Sequence, residues 1–125
     1  MPATLPSLNI TLGPIDHNKI MTFDPACLYE LYKDYNEIDI LRVSIVGLSS
    51  TIDDSIIKSL LAMDLYFESY GFKINKLVFK CYTPKNIAYR ENDVIMSFIM
   101  AIIGNDSSKL ETSAHFKNMF DQLFL

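Results

Sequence analysis

The turn Gly47-Leu48-Ser49-Ser50-Thr51 holds the side chains whose types and positions come closest to a binding site. It lies between an apolar run and an amphipathic one, so we expect it to join a strand to a helix. Phosphate groups bind at such turns, because the first backbone N–H groups of a helix have no partner within it. The turn lacks the Gly-Lys-Ser/Thr of a phosphate-binding loop, and Asp53 and Asp54 would repel an anion. A small ligand or nucleotide held by Ser49, Ser50, Thr51 and Asp53 is therefore kept as an alternative.

The other residues that could do chemistry are acids, thiols and imidazoles. Asp53 and Asp54 fall at a predicted helix N-terminus, where the helix dipole favours negative charge, so a structural role explains them. Cys27 and Cys81 lie in apolar segments, as buried thiols in a reducing compartment do, and a disulfide or redox role is the alternative. No spacing of Cys and His matches a zinc site. The sequence thus predicts no catalytic residue, no metal and no cofactor, and it favours a cytoplasmic protein that is not an enzyme.

A strand–helix–strand unit is expected to position the turn. Ile38–Val46 has apolar residues on both sides, which is typical of a strand inside a parallel sheet with helices on each face. The helix that follows begins with the capping-box spacing of Thr51 and Asp54 and ends before Gly71, a residue type common just past a helix C-terminus. Leu77–Tyr82 is the second strand. A connection of this length favours parallel strands joined by a right-handed crossover.

Around this unit the sequence predicts a single α/β domain from residue 8 to residue 125, with residues 1–7 as a flexible arm. The length of 125 residues is that of one domain. Segments 8–12 and 19–23 are predicted to form a β-hairpin, and a helix over 26–35 leads into the central strand.

The C-terminal third of the chain is less clearly patterned. Val94–Ile103 is almost wholly apolar, so its periodicity fits a buried helix and a buried strand equally, and we assign it to a fifth strand. A last helix is predicted over 109–123. The fold class is then α/β, with a mixed sheet of four or five strands that consists of the hairpin and the central unit, flanked by helices.

Composition excludes some functions. The formal net charge is -4 and the basic residues are scattered, which disfavours nucleic-acid binding. The longest apolar run is shorter than the ~20 residues that cross a bilayer, so no transmembrane segment is predicted.

Two apolar rows could face either the core or a partner. One row is on the central helix and one on the last helix, and each is expected to be either packed core or a surface for a protein partner or a second copy. The two rows consist of Ile57, Leu61 and Leu65, and of Phe116, Phe120 and Phe124.

The central unit resembles the STAS domain of anti-sigma-factor antagonists and sulfate-transporter tails. Leu48–Ser55 is similar to that family's strand end and Asp-Ser-Ser-Gly helix start, Gly71 to its Gly after the helix, and Thr83-Pro84 to its Ser-Pro after the next strand. The resemblance implies that Ser55 matches a serine that can be a phosphorylated switch. Here an aspartate precedes the acceptor and an isoleucine follows it, and the acid opposes an added phosphate.

The sequence therefore favours a non-enzymatic, STAS-like interaction module that acts through a protein partner or as a homo-oligomer. One alternative is a domain that binds a small ligand or nucleotide at the Gly47–Thr51 turn. Another alternative is a viral or mobile-element accessory protein that binds a host protein.

Overall fold

A mixed β-sheet organises the fold. The structure is a computed structural model, and it describes residues 3–16, 19–21, 29–30, 33–45, 54–81 and 89–123. In this part of the chain the sheet has five strands in the order β2-β1-β3-β4-β5, and only β2 is antiparallel to its neighbour. The strands are β1 (Ala3–Asp16), β2 (Lys19–Met21), β3 (Tyr35–Ile45), β4 (Lys73–Cys81) and β5 (Leu110–Glu111).

Helices connect the parallel strands. The described residues form α1 (Asp54–Tyr70), α2 (Tyr89–Ile103), α3 (Ala114–Gln122) and a 3₁₀ turn at Ser107–Lys109. None of these helices is long and apolar enough to cross a membrane. The α/β class is confirmed, and an N-terminal hairpin is present, but β2 pairs with Gly13–Asp16 and not with the predicted segment 8–12, which pairs with β3 instead.

The predicted strand–helix–strand unit is present as β3, α1 and β4. The two strands are parallel neighbours, and Leu41 of β3 is in register with Leu77 of β4. Gly71 ends α1 with a φ of 66°, and its N–H donates to the Phe67 carbonyl at 3.1 Å. The predicted C-terminal glycine is thus confirmed, because an L-residue with a side chain rarely adopts this backbone conformation.

The helices pack against one face of the sheet. On β3, Leu41, Val43 and Ile45 are fully buried, whereas the alternate residue Arg42 is exposed. The buried strand residues form one core with the apolar faces of the helices. The helical members of this core include Leu60, Met63, Phe67, Ile95, Ile99, Ile103, Phe116 and Phe120. The expectation of helices on both faces stays a prediction, because the segment between β2 and β3, where Tyr29 and Glu30 are helical, lies largely outside the described residues.

An interruption in the sheet explains why β3 has apolar residues of both parities. Ile38 and Leu41 are both fully buried although they are three positions apart. Between them the ladder skips Asp39, which is paired neither with Pro6 of β1 nor with Asn75 of β4. The side-chain amide of Asn75 instead donates to the Asp39 carboxylate at 3.3 Å. The alternation of inward and outward side chains thus shifts by one residue at Asp39. The apolar residues of both parities come from this shift.

Two predictions at the N-terminus are wrong. Residues 3–7, assigned to a flexible arm, belong to β1, where Leu5 pairs with Ile38 of β3. The prolines favour irregular chain, but at Pro6 the described ladder pairs β1 with β3 alone, because the pairing with β2 begins at Gly13, and a strand position with one free side tolerates a proline. The helix predicted over 26–35 ends sooner, since Lys33 lies in a turn and β3 begins at Tyr35; only Tyr29 and Glu30 of that segment are described as helical.

Two predictions at the C-terminus are also wrong. Val94–Ile103 is the greater part of α2, and Gly104, with a φ of 65°, ends this helix. The fifth strand is Leu110–Glu111, which falls within the segment predicted as the start of the last helix. The last helix begins at Ala114, where the Ser113 side chain accepts from the Phe116 N–H.

Candidate interaction surfaces

The apolar row on α1 turns outward along the helix. Ile57 is 7% exposed, Leu61 is 48% exposed and Leu65 is 64% exposed. Each step of four residues rotates by about 40° around a helix, so a row that starts at the core leaves it after one turn. Of the predicted row, Ile57 belongs to the core, and Leu61 and Leu65 offer an apolar surface to solvent. We call this pair the α1 leucine patch.

The apolar row on the last helix is core. Phe116 is 3% exposed and Phe120 is fully buried, so neither side chain is available to a partner, which corrects their assignment to a partner surface. The chain buries them because α3 packs beside β4, where the rings of Phe79 and Phe116 are 5.5 Å apart. Phe124 lies outside the described residues.

An acidic groove borders the α1 leucine patch. It lies between the C-terminal halves of α1 and α2 and has a volume of about 340 Å³. Asp64 and Glu68 of α1 line it together with Ala101 of α2 and apolar residues. Partial burial, and then the charge of Glu68, raise the pKa of Asp64. No ion pair joins either acid to another described residue, so the two carboxylates repel each other without a cation between them.

Several side chains on the face of the sheet opposite the described helices are exposed. Arg42 and Lys80 are exposed and Ser44 is half-buried. Arg42 is in register with Val78, midway between Lys76 and Lys80 along β4. Val78 lies between these long side chains and is only 3% exposed. We call this surface the basic sheet face, and its described members are Ser7, Asn9 and Thr11 of β1, Ile40, Arg42 and Ser44 of β3, Lys76, Val78 and Lys80 of β4, and Glu111 of β5.

Sequence reasoning missed the basic sheet face, although the signal was present. In Leu41–Ile45 the polar residues Arg42 and Ser44 alternate with apolar ones, and in β4 Lys76 and Lys80 are an even number of positions apart, which indicates strands with one wet face. The alternation was hard to recognise because Ile38 and Ile40 are both apolar. The unpaired position at Asp39 shifts the inward-facing residues from even to odd positions, so Ile38 faces the core and Ile40 faces the opposite side. Two strands that each place cations on the same side then form a basic surface on an acidic protein.

A second groove lies where β4 ends. It has a volume of about 400 Å³, and Lys80, Cys81, Glu111, Thr112 and Ser113 are among its lining residues. The Thr112 hydroxyl donates to the Phe79 carbonyl at 2.7 Å, and the Ser113 hydroxyl accepts from the Phe116 N–H. Both hydroxyls are therefore already bonded to the chain.

The predicted ligand turn is not among the described residues. Ser49, Ser50, Thr51 and Asp53 lie outside them, as do His17 and Cys27, and Ser55 is described only as part of the first turn of α1. The last residue of β3, Ile45, is in register with Cys81, which lines the groove at the end of β4.

The described residues contain no group of three His, Cys, Asp or Glu side chains that could hold a metal ion. Comparisons of the chain with protein-family models, with curated proteins and with solved structures found no match.

Proposed function

We propose that the chain is a non-enzymatic protein-interaction module that binds a protein partner or a second copy of itself. The observation that carries this proposal is the α1 leucine patch, because Leu61 and Leu65 are large, adjacent and about half exposed or more. Fully burying one leucine side chain contributes about 1.5–3 kcal/mol, so two such residues on a rigid helix can anchor a partner.

The proposal includes a cytoplasmic location and a STAS-like character. The two cysteines, each in an apolar segment of the sequence, support a reducing compartment. The strand–helix–strand unit of β3, α1 and β4 supports the STAS-like part, because the resemblance is carried by that unit. A viral or mobile-element protein that binds a host protein would use the same surface.

Leu61→Glu tests the proposal. We expect the variant to keep its circular dichroism spectrum and melting temperature, since the side chain is exposed, and to lose self-association in light scattering or capture of a purified partner. Met100→Glu is the matched control, because Met100 is a similarly exposed apolar residue on α2. A Leu61→Glu variant that associates as the wild type does would contradict the proposal.

The groove at the end of β4 favours a second candidate, a domain that binds a small ligand or nucleotide. Parallel sheets bind ligands beyond the C-terminal ends of their strands, and Ile45, which precedes the Gly47–Thr51 turn in the sequence, is in register with Cys81 of this groove. Lys80 is the cation at its rim. Thermal shifts with a nucleotide panel test this candidate: a shift that Lys80→Ala abolishes supports it, and the absence of any shift counts against it.

A further inference from the structure

We propose that the partner of α1 is the basic sheet face of a second copy of this chain, so that copies associate head to tail. This inference rests on the proposed function and names its partner. Two surfaces of one chain carry it: an apolar and acidic patch on α1, and a basic patch on the sheet.

The basic sheet face is a surface that a parallel sheet rarely leaves to solvent. Parallel sheets are almost always covered on both faces, and here the described helices cover one. Ile40 is partly exposed on this face, whereas Val78 is only 3% exposed, so the face is mainly polar and basic. Lys76 pairs with Glu111 at 3.4 Å, but no ion pair joins Arg42 or Lys80 to another described residue. Two such cations near the partly exposed Ile40 fit an occupant that carries acids beside apolar side chains.

The outer surface of α1 has that chemistry. Leu61 and Leu65 stand one turn apart, and Asp64 and Glu68 lie on the flank beside them. Lys58 is the basic residue on the other flank of this surface. Partial burial of Asp64 and its repulsion from Glu68 already disfavour the two negative charges, and cations from a second copy would relieve that repulsion.

Pairing of α1 with α1 fits less well. If two copies of the helix met antiparallel through Leu61 and Leu65, the two-fold axis would place Asp64 and Glu68 of both copies on one flank. Four carboxylates would then line one edge of the contact, and like charges across an interface oppose association. On the basic sheet face the same acids meet Arg42 and Lys80.

The dimensions of the two surfaces match, and they predict a weak complex. With 17 residues, α1 is about 25 Å long. Five strands span about 19 Å from the first axis to the last, and a strand of nine to eleven residues is about 30 Å long. One helix on one sheet face is at the small end of specific interfaces. We therefore expect association that depends on concentration and weakens as salt rises, because exposed charges are screened.

Two complementary variants test the inference. The sheet variant carries Arg42→Glu and Lys80→Glu, and the helix variant carries Asp64→Lys and Glu68→Lys. We expect each variant alone to associate about tenfold more weakly than the wild type, or worse, because favourable charge pairs become like-charge pairs. An equimolar mixture should regain association in light scattering, because each variant keeps the surface that the other has lost.

Matched controls separate the interface from general effects of charge. Lys33→Glu and Asp121→Lys make the same kinds of change at exposed positions outside both surfaces, and they should associate as the wild type does. Melting temperatures of all variants show that each is folded before its association is measured.

The outcomes are distinct. A sheet variant that associates like the wild type overturns the inference and indicates pairing through α1 alone. A wild type that stays monomeric at every concentration also overturns it. If the monomeric wild type still binds another protein through Leu61, the proposed function stands. If Leu61→Glu leaves self-association unchanged while the sheet variant dissociates, the proposed role of the α1 leucine patch fails instead.

Discussion

The rings of Phe79 and Phe116 meet edge to face, with 5.5 Å between their centroids and an angle of 86° between their planes. This contact joins the centre of β4 to α3. The ammonium of Lys117 donates to the Ser107 carbonyl at 2.6 Å and so holds the same helix to the 3₁₀ turn. The last helix is therefore a part of the core and not an appended binding arm.

Truncation of Phe116 tests this role. Phe116→Ala should lower the free energy of unfolding by about 3–5 kcal/mol, the usual cost of removing a buried phenylalanine ring. Asn118→Gln, at an exposed position of the same helix, should change it by less than about 0.5 kcal/mol. Urea unfolding followed by circular dichroism measures both. A loss below 1 kcal/mol, on the order of a surface substitution, would show that α3 is docked only loosely.

Leu60 and Leu65 should differ strongly although they share one helix. Leu60 is fully buried and Leu65 is 64% exposed. Leu60→Ala should cost about 2–5 kcal/mol of stability, whereas Leu65→Ala should cost less than about 0.5 kcal/mol. Denaturant unfolding of the two variants in parallel gives the comparison. Equal losses would mean that α1 is rotated about its axis from the orientation described.

Adding a side chain at Gly71 should destabilise the protein because of the backbone conformation there, and not because of a steric clash. The φ of Gly71 is 66°, and no atom lies within 4 Å of the position that a Cβ would take. Gly71→Ala should therefore destabilise by about 1–2 kcal/mol, the cost of a left-handed backbone for an L-residue. Gly71→Asn should lose less, because asparagine adopts this conformation more readily. An equal loss for both variants in thermal unfolding would argue against this cause.

Asp64 should make stability fall as pH rises. Its pKa is raised above the ordinary aspartate value of 3.8 in the folded protein, first by burial and then by the charge of Glu68. The folded state thus binds the proton more tightly than the unfolded state does. The contribution of Asp64 to the free energy of unfolding is therefore favourable below pH 3.8, and it is lost as pH rises through the pKa of the folded state. Because the side chain is largely solvated, the effect should stay below about 1 kcal/mol.

The matched variants are Asp64→Asn and Glu68→Gln. Asp64→Asn should remove this part of the pH dependence and gain stability relative to the wild type at neutral pH. Glu68→Gln should lower the pKa of Asp64 only in part, because burial is the larger cause. Urea unfolding at several pH values and NMR titration of the Asp64 carboxyl give the two readings. A complete return to the ordinary value in Glu68→Gln would reverse the order of the causes.

Local signals in the sequence predicted the hairpin, the strand–helix–strand unit and the glycine at the end of α1. Each of these depends on neighbouring residues: turn types, periodicity and a capping position. Val94–Ile103 lacks a clear period, because α2 buries residues on several sides, and Gly104 after it was the one local sign of a helix end. The exposed residues Ser97, Met100 and Ala101 mark the wet side of the helix, and their spacing was too weak to decide against a strand.

The remaining errors come from pairing between distant segments. Ala3–Ser7 has two nearby prolines and no helical pattern, and only its ladder with β3 makes it a strand. The two residues of β5 are likewise a strand only because Leu110 pairs with Leu77. Of the predicted partner surface, the outer part of the α1 row is exposed, whereas Phe116 and Phe120 are buried by a sheet edge that the sequence did not reveal.

The short strand β5 has a consequence for how copies of this protein can meet. Leu110 and Glu111 pair only with Leu77 and Val78 of β4, and the chain then turns away. The Thr112 hydroxyl bonds the Phe79 carbonyl, which an added strand would otherwise use. Very short edge strands and nearby lysines are among the features that keep natural sheets from growing by strand addition. This end of the sheet is therefore protected against amyloid-like extension, which would otherwise compete with specific association.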